Sequence, residues 1–249
     1  MELDYGAQTA FARDLGCSCA SSAWVGGILA CHGWMAAMFP DQPQREIWGD
    51  DSDVAVATSF LPVSVSAERN GDDLHISGRW RFSSWVAHCG WAVLMVPVLA
   101  KGGNGPPDPV FGMVDLAHCK VEGAWNSAGL TASGSNDIFV ERAVITPHRM
   151  MRVRDLRGEA TPGSDTHGSY LYRLPLFAVF PFNIIGPALG AARGALDAVI
   201  AGLTSRQSVT GADLSRATTV HQCIGKATAL FDAADAVIAQ LRGEIVSKG

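Results

Sequence analysis

Three short segments of the chain concentrate hydroxyl and aromatic side chains: Thr58-Ser59-Phe60, Trp80-Arg81-Phe82-Ser83-Ser84-Trp85 and Ser133-Gly134-Ser135-Asn136-Asp137. Each sits beside a stretch with the alternation of a β-strand. A planar heteroaromatic ligand needs apolar faces and a few hydroxyl or amide groups for its polar edge, and these segments offer both. The last of them reads equally well as a plain β-turn. His32 lies in an apolar run, where a lone histidine is either a site residue or a hydrogen-bonded core residue. Trp24 is core-facing, with an edge that can reach a pocket, and His88 can be satisfied by backbone alone. Asp137 and Arg142 read as solvated strand charges.

Signatures of other chemistries are missing. The sequence contains no G-x-S-x-G elbow, Walker loop, H-E-x-x-H, or G-x-G-x-x-G after a strand. Gly102-Gly103-Asn104-Gly105 has no following Lys-Ser/Thr and reads as a hairpin tip. The six cysteines (Cys17, Cys19, Cys31, Cys89, Cys119, Cys223) form no C-x-x-C pair. They are expected to be small buried hydrophobes rather than disulfides, and no metal site is expected.

The elements that must position these residues fall into three textures. Residues 7–39 are apolar nearly all round, as one or two helices buried between layers would be. Pro40, Asp41 and Pro43 end them, and Gln44–Trp48 makes a further helical turn. From about Asp53 to Pro147 the period is that of strands: 54–58, 63–68, 74–82, 91–99, 110–114, 118–122 and 137–145, with Asn70-Gly71-Asp72 as a hairpin signal. Seven strands at this spacing suit a small barrel or sandwich. Residues 148–175 form a polar connection. Helical periodicity then returns over 182–207 and 212–246, the second with Leu214, Val220, Ile224, Phe231, Val237, Ile238 and Leu241 as its apolar stripe. Gly186, Gly190 and Gly194 recur every four residues, which predicts close helix packing. The expected class is α+β: an N-terminal helical segment (1–50), a central β domain (51–150) and a C-terminal pair of antiparallel helices (151–249).

Composition narrows the partners. The 249 residues are 48% hydrophobic and 17% charged, with a formal net charge of −5. That balance supplies no basic stripe for nucleic acid and is too apolar for a disordered chain. No run reaches the roughly 18 uninterrupted apolar residues of a membrane span, and Met1-Glu2-Leu3-Asp4-Tyr5 lacks the pattern of a signal peptide. A soluble cytoplasmic protein is expected.

Four motifs in order carry a family resemblance: Ser21-Ser22-Ala23-Trp24-Val25; Gly78-x-Trp80-x-Phe82-Ser83-Ser84 followed by His88-Cys89-x-Trp91; Gly129-Leu130-x-x-Ser133-Gly134-Ser135-Asn136-Asp137; and Pro187-Ala188-Leu189-Gly190-Ala191-Ala192-Arg193-Gly194. Together they resemble the acyl-CoA dehydrogenase fold through nearly the whole chain. More narrowly they resemble its flavin-dependent monooxygenase branch, which includes the oxygenase components of p-hydroxyphenylacetate hydroxylase and of steroid-degrading phenol hydroxylases. The resemblance implies an oxygenase that uses reduced flavin (FMN or FAD), delivered by a separate flavin reductase, and O₂ to hydroxylate a small aromatic substrate. It implies a homotetramer built through the C-terminal helices. By position, Ser84 matches the hydroxyl residue beside flavin N5, with Ser83 in the same motif, and Phe82 matches the aromatic residue against the ring. Thr58 and Ser59 match the strand segment beside flavin and substrate. His32 and Trp24 match residues lining the aromatic pocket, with His32 and Ser59 as the catalytic pair. Arg173 matches a basic residue that meets the flavin phosphate or ring edge.

The chain departs from that pattern in two ways. Trp85 stands where relatives have Gly after the Ser-Ser pair, and the family's additional helices at both ends are expected to be missing. Two alternatives remain. One is an acyl-CoA dehydrogenase with FAD and a carboxylate base, although Thr58-Ser59-Phe60-Leu61-Pro62 replaces the segment typical of those enzymes and Asp232, Asp235 and Glu244 look solvent-facing. The other is a non-catalytic assembly partner that keeps the fold.

Overall fold

The computed structural model describes residues 5–99, 107–203, 206–207, 211 and 213–246. The glycine-rich segment 102–105 and the first four residues lie outside them.

The apolar N-terminal third folds as α1 (Tyr5–Gly16) and α2 (Ala20–Ala36), followed by α3 (Asp41–Trp48). Pro43 sits in the first turn of α3, where its missing N–H costs nothing, so it starts a helix rather than ending one. Eight strands follow: β1 (Val56–Ser59), β2 (Pro62–Asn70), β3 (Asp73–Ser83), β4 (Trp91–Val96), β5 (Val110–Asp115), β6 (Lys120–Glu122), β7 (Asn136–Ile145) and β8 (Met150–Arg152). They form two four-stranded sheets, ordered β1-β4-β5-β8 and β2-β3-β7-β6. The middle of the chain is therefore an open sandwich and not a closed barrel. It has one strand more than expected, because three-residue β8 lies in the segment read as a polar connection.

β2 and β3 form the expected hairpin, with Asn70 opposite Asp73 and Gly71 at φ +61°. β1 and β4 run parallel; every other pairing is antiparallel. Trp80, Ile76, Leu94, Val114 and Ile138 fill the space between the sheets. Val93, Phe111 and Met113 face the other way and meet Met35 of α2, Met38 and Phe39 of the turn after it, and Ile47 of α3. The first sheet is thus covered on both sides. This accounts for the unbroken apolar run of β4, which a half-solvated strand would not show.

The connection 148–175 is more structured than its polarity suggests. It contains α4 (Pro162–His167), capped by Thr161 and Ser164, and buries Leu156, Leu171, Tyr172 and Leu174. α5 (Leu176–Leu203) and α6 (Thr218–Val246) complete the chain. Gly186, Gly190 and Gly194 face the backbone of α1 and the residue after it, where any Cβ would collide with the carbonyls of Thr9, Arg13 and Cys17. By length and composition α5 could cross a membrane. α6 is largely exposed: Ile238 packs near the start of α5, while Val237 and Leu241 point outward.

Two further expectations are corrected. Cys31 is buried, with its thiol pushed up to about 12 by burial, and Cys89 and Cys119 are half-buried, but Cys17, Cys19 and Cys223 are exposed. Asp137 is not a solvated strand charge, because it has 0% exposure. The β3–β7 register brings it opposite a bend in β3, where two arginines and a backbone N–H need an acceptor.

Candidate functional site

α2, β1, the end of β3 and the start of α5 enclose a cavity of about 160 Å³. Its deep end is set by His32, on α2, which is 2% exposed. Ring Nδ1 lies 3.1 Å from the Val56 carbonyl and Nε2 lies 2.7 Å from Thr58 Oγ1. A carbonyl can only accept, so Nδ1 carries the proton and Nε2 accepts from the Thr58 hydroxyl. Burial holds the ring's pKa down at about 3, so His32 is neutral at physiological pH. The Thr58 oxygen, with its proton committed to His32, keeps a free lone pair.

β1 contributes Ser59 to the same wall. Its Oγ donates to the Arg81 carbonyl at 2.7 Å and accepts from the Leu61 N–H at 3.3 Å. Ser59 lines the cavity but spends its hydroxyl on backbone, and the side chain that engages His32 is Thr58. Ser83 does not line the cavity; its Oγ donates to the Thr58 carbonyl at 3.0 Å and ties β3 to β1.

The outer wall forms where β3 bends. Phe82 (φ +58°) and Trp85 (φ +60°) are left-handed, a conformation that costs a bulky residue free energy and persists only when its surroundings impose it. Asp137 imposes it at Phe82. One carboxylate oxygen accepts the Phe82 N–H at 3.3 Å, and the other takes Arg79 Nε at 2.7 Å as well as its Nη2. The bend leaves the Phe82 ring 45% exposed at the mouth, edge-to-face with Trp125 at 6.1 Å. It also turns Ser84 inward, where its Oγ accepts from Trp24 Nε1 at 2.9 Å and bonds Ser135 Oγ at 2.9 Å, with Ser133 next in the chain. Ser133 and Ser135 are thus more than turn residues. Trp85 does not line the cavity; it stacks on exposed His88 at 4.2 Å. Arg173 is exposed in the Tyr170–Arg173 turn and lies outside the lining.

Of the residues expected at the site, Trp24, His32, Thr58, Ser59, Phe82 and Ser84 line one cavity. Phe60 and Arg81, which belong to the candidate segments but were given no role of their own, also line it, and the sequence reading missed Ile28, Leu61, Phe180 and Ile184. Phe60 had a signal, since it adjoins Thr58-Ser59; the α5 residues had none short of the tertiary fold. Among the described residues no cluster of three His, Cys, Asp or Glu could hold a metal.

The volume decides what fits. An apolar cavity of roughly 150 Å³ takes one benzene ring, whereas larger ligands occupy roughly 300–1,000 Å³. The space, open on one side, is therefore of the size of a single aromatic ring. At the mouth Phe82 and Trp125 present apolar surface, and further in the Ser84 hydroxyl is buried and bonded to Trp24 and Ser135.

Helices, a two-sheet sandwich and returning helices, with the cavity between the first helices and the sandwich, make up the acyl-CoA dehydrogenase-like fold. Residues 183–247 match the family described as acyl-CoA dehydrogenase, C-terminal domain. The chain is 32% identical over 186 residues to the flavin-dependent monooxygenase, oxygenase subunit HsaA, of Rhodococcus jostii (strain RHA1), which covers 75% of this chain and 48% of that protein. It is 29% identical over 227 residues to the oxygenase component of an FADH(2)-dependent resorcinol hydroxylase from Rhizobium sp. (strain MTP-10005), covering 89% and 55% respectively. The crystal structure of 3-HSA hydroxylase from Rhodococcus sp. RHA1 superposes with a TM-score of 0.85 at 29% identity, over 98% of this chain and 60% of that one. The chain spans about half the length of the curated relatives it matches. Over that span it is similar in sequence and fold to the oxygenase subunits of flavin-dependent monooxygenases.

Proposed function

We propose that the chain forms the substrate-binding part of the oxygenase of a two-component flavin-dependent monooxygenase that hydroxylates a one-ring phenol. The observation that carries this reading is the His32–Thr58 pair at the closed end of a cavity sized for one ring.

Such a substrate would place its hydroxyl against Thr58. The free lone pair of Thr58 Oγ1 accepts the phenolic proton while the Thr58 hydroxyl donates to His32 Nε2. Drawing that proton outward raises electron density on the ring carbons that are to be hydroxylated. With a pKa of about 3, His32 resists becoming a buried imidazolium. It therefore polarises the phenol through Thr58 rather than storing a full charge. Ser59 keeps the Arg81 backbone in place, and Ile28, Phe60, Phe180 and Ile184 exclude water from the ring.

Phe82 and Ser84 would hold the flavin at the mouth, with Trp24 orienting the Ser84 hydroxyl. Reduced flavin, supplied by a separate reductase, would supply the two electrons that activate O₂, and O₂ would supply the oxygen atom placed on the ring. Exposed apolar residues on α5 and α6, including Phe177, Val199, Leu230 and Val237, support a homo-oligomer, with the tetramer as the expected form.

The test is a single turnover. The chain is loaded anaerobically with reduced FMN or FAD, and then mixed with a phenol and isotopically labelled dioxygen. The reading requires a hydroxylated product that carries the label. Release of peroxide with unchanged phenol, or failure to bind reduced flavin, would overturn it.

A further inference from the structure

The cavity lining is electrostatically one-sided. Among the described residues that line it, Arg81 is the one charged side chain; His32 is neutral and no carboxylate reaches the space. Arg81 stands at the rim, 44% exposed, with its guanidinium carbon 4.4 Å above the Phe82 ring. Its backbone is pinned on both sides, by the Ser59 hydroxyl and by the Leu61 carbonyl.

Its nearest acid is already committed. Asp137 takes two donors from Arg79 and the Phe82 N–H, and stands 3.9 Å from Arg81 Nε. Two guanidinium groups share one carboxylate, so one positive charge at the mouth is left uncompensated. The opposite, buried end offers the Thr58 lone pair. A ligand of one ring therefore meets an acceptor at the closed end and a cation at the open end. Arg81 also falls on an unspecified position of Gly78-x-Trp80-x-Phe82, so the motif does not dictate its identity.

We propose that Arg81 is a specificity residue that selects a one-ring phenol bearing a carboxylate over a neutral phenol. The carboxylate lies at the rim against the N–H edge of the guanidinium, whose face rests on Phe82, and the hydroxyl lies at Thr58. This rests on the cavity being the aromatic pocket. Arg81 borders the one-ring space itself, whereas a flavin phosphate hangs from a ribityl chain beyond the ring, which favours the substrate as the source of the anion. A half-exposed charge-assisted hydrogen bond supports about a tenfold preference, reduced by salt.

The experiment compares two ligands of one shape, 4-hydroxybenzoate and 4-hydroxybenzyl alcohol, titrated calorimetrically into the full chain at low ionic strength. The parent protein should bind the acid about tenfold more tightly. Arg81→Gln should abolish the preference, Arg81→Glu should invert it, and added salt should narrow it. Equal affinities in the parent, or a preference that survives both variants, overturns the proposal and leaves the pocket reading intact. If Arg81→Gln weakens FMN but not the acid-to-alcohol ratio, the cation serves the cofactor and the proposal falls. If neither compound binds, the pocket reading and the proposal fall together.

Discussion

The two walls of the cavity are built by different means. The inner wall, α2 against β1, uses regular backbone, and its chemistry rests on two bonds of His32, one to the Val56 carbonyl and one to the Thr58 hydroxyl. The outer wall, where β3 meets β7, uses left-handed backbone at Phe82 and Trp85, and the Phe82 bend rests on one buried carboxylate. The inner wall is therefore sensitive to the protonation of His32, whereas the outer wall depends on Asp137 for its shape. Perturbing each wall should distinguish them.

The largest effect is expected at the outer wall. Asp137→Ala strands the Phe82 N–H and removes the counter-charge of Arg79. Breaking a buried pair typically costs about 3–5 kcal/mol, and because Arg79 is 40% exposed and can recover water, about 2–3 kcal/mol is expected in denaturant unfolding. A loss below 0.5 kcal/mol would mean that the bend holds itself. Asp137→Asn keeps the Phe82 bond and should lose less.

The inner wall should fail through pH. Below pH 6.5 the unfolded chain protonates His32, whereas the folded protein does so only near its depressed pKa of about 3. The unfolded state then binds more protons, so stability falls as pH falls through that window, by up to about 1.4 kcal/mol per pH unit. His32→Gln should flatten that dependence between pH 6 and 4, as followed by thermal unfolding. A parallel decline in both proteins would remove His32 as the acid-sensitive group.

These two walls were unequally legible in the sequence. The Asn70-Gly71-Asp72 turn, the apolar run of β4 and the Gly186/Gly190/Gly194 spacing are local signals with local physical causes, and each appears where expected. His32 and Thr58 are 26 positions apart, and only the family resemblance brought them to one site. Asp137 read as a surface charge because a strand alternates and nothing local reveals what the neighbouring strand bears. Its burial is a consequence of the β3–β7 register and of the bulge beyond Trp80. β8 was invisible for a related reason, since three residues carry too little periodicity to outweigh a polar neighbourhood. Arg173, matched by position alone, sits on an exposed turn whose facing is set by the buried Leu171 and Tyr172 beside it.

Three side-chain hydrogen bonds couple the walls, from Ser59 to the Arg81 carbonyl, from Ser83 to the Thr58 carbonyl and from Trp24 to Ser84, and the last two bear on whether the walls act separately. Ser83→Ala deletes the bond to the Thr58 carbonyl. A buried neutral bond contributes about 0.5–1.5 kcal/mol, so a loss of about 1 kcal/mol is expected. Because Thr58 also holds His32, ligand affinity should drop alongside stability. Unchanged affinity for a phenol would show that the inner wall keeps its geometry without support from β3.

Trp24→Phe makes the smallest change and gives the sharpest answer. It keeps an aromatic ring against the cavity and removes only the indole N–H, which donates to Ser84. Trp24 is part-exposed, so water can replace the lost donor and the stability cost should stay below about 1 kcal/mol. Ser84 would still bond Ser135, but its hydroxyl would no longer be pinned from the α2 side. If the mouth holds flavin through Ser84, oxidised FMN affinity should fall a few-fold while phenol affinity changes little, because the phenol is held at the far end by Thr58. If both affinities fall together, the indole acts by filling the cavity, and the two walls form one binding surface rather than two.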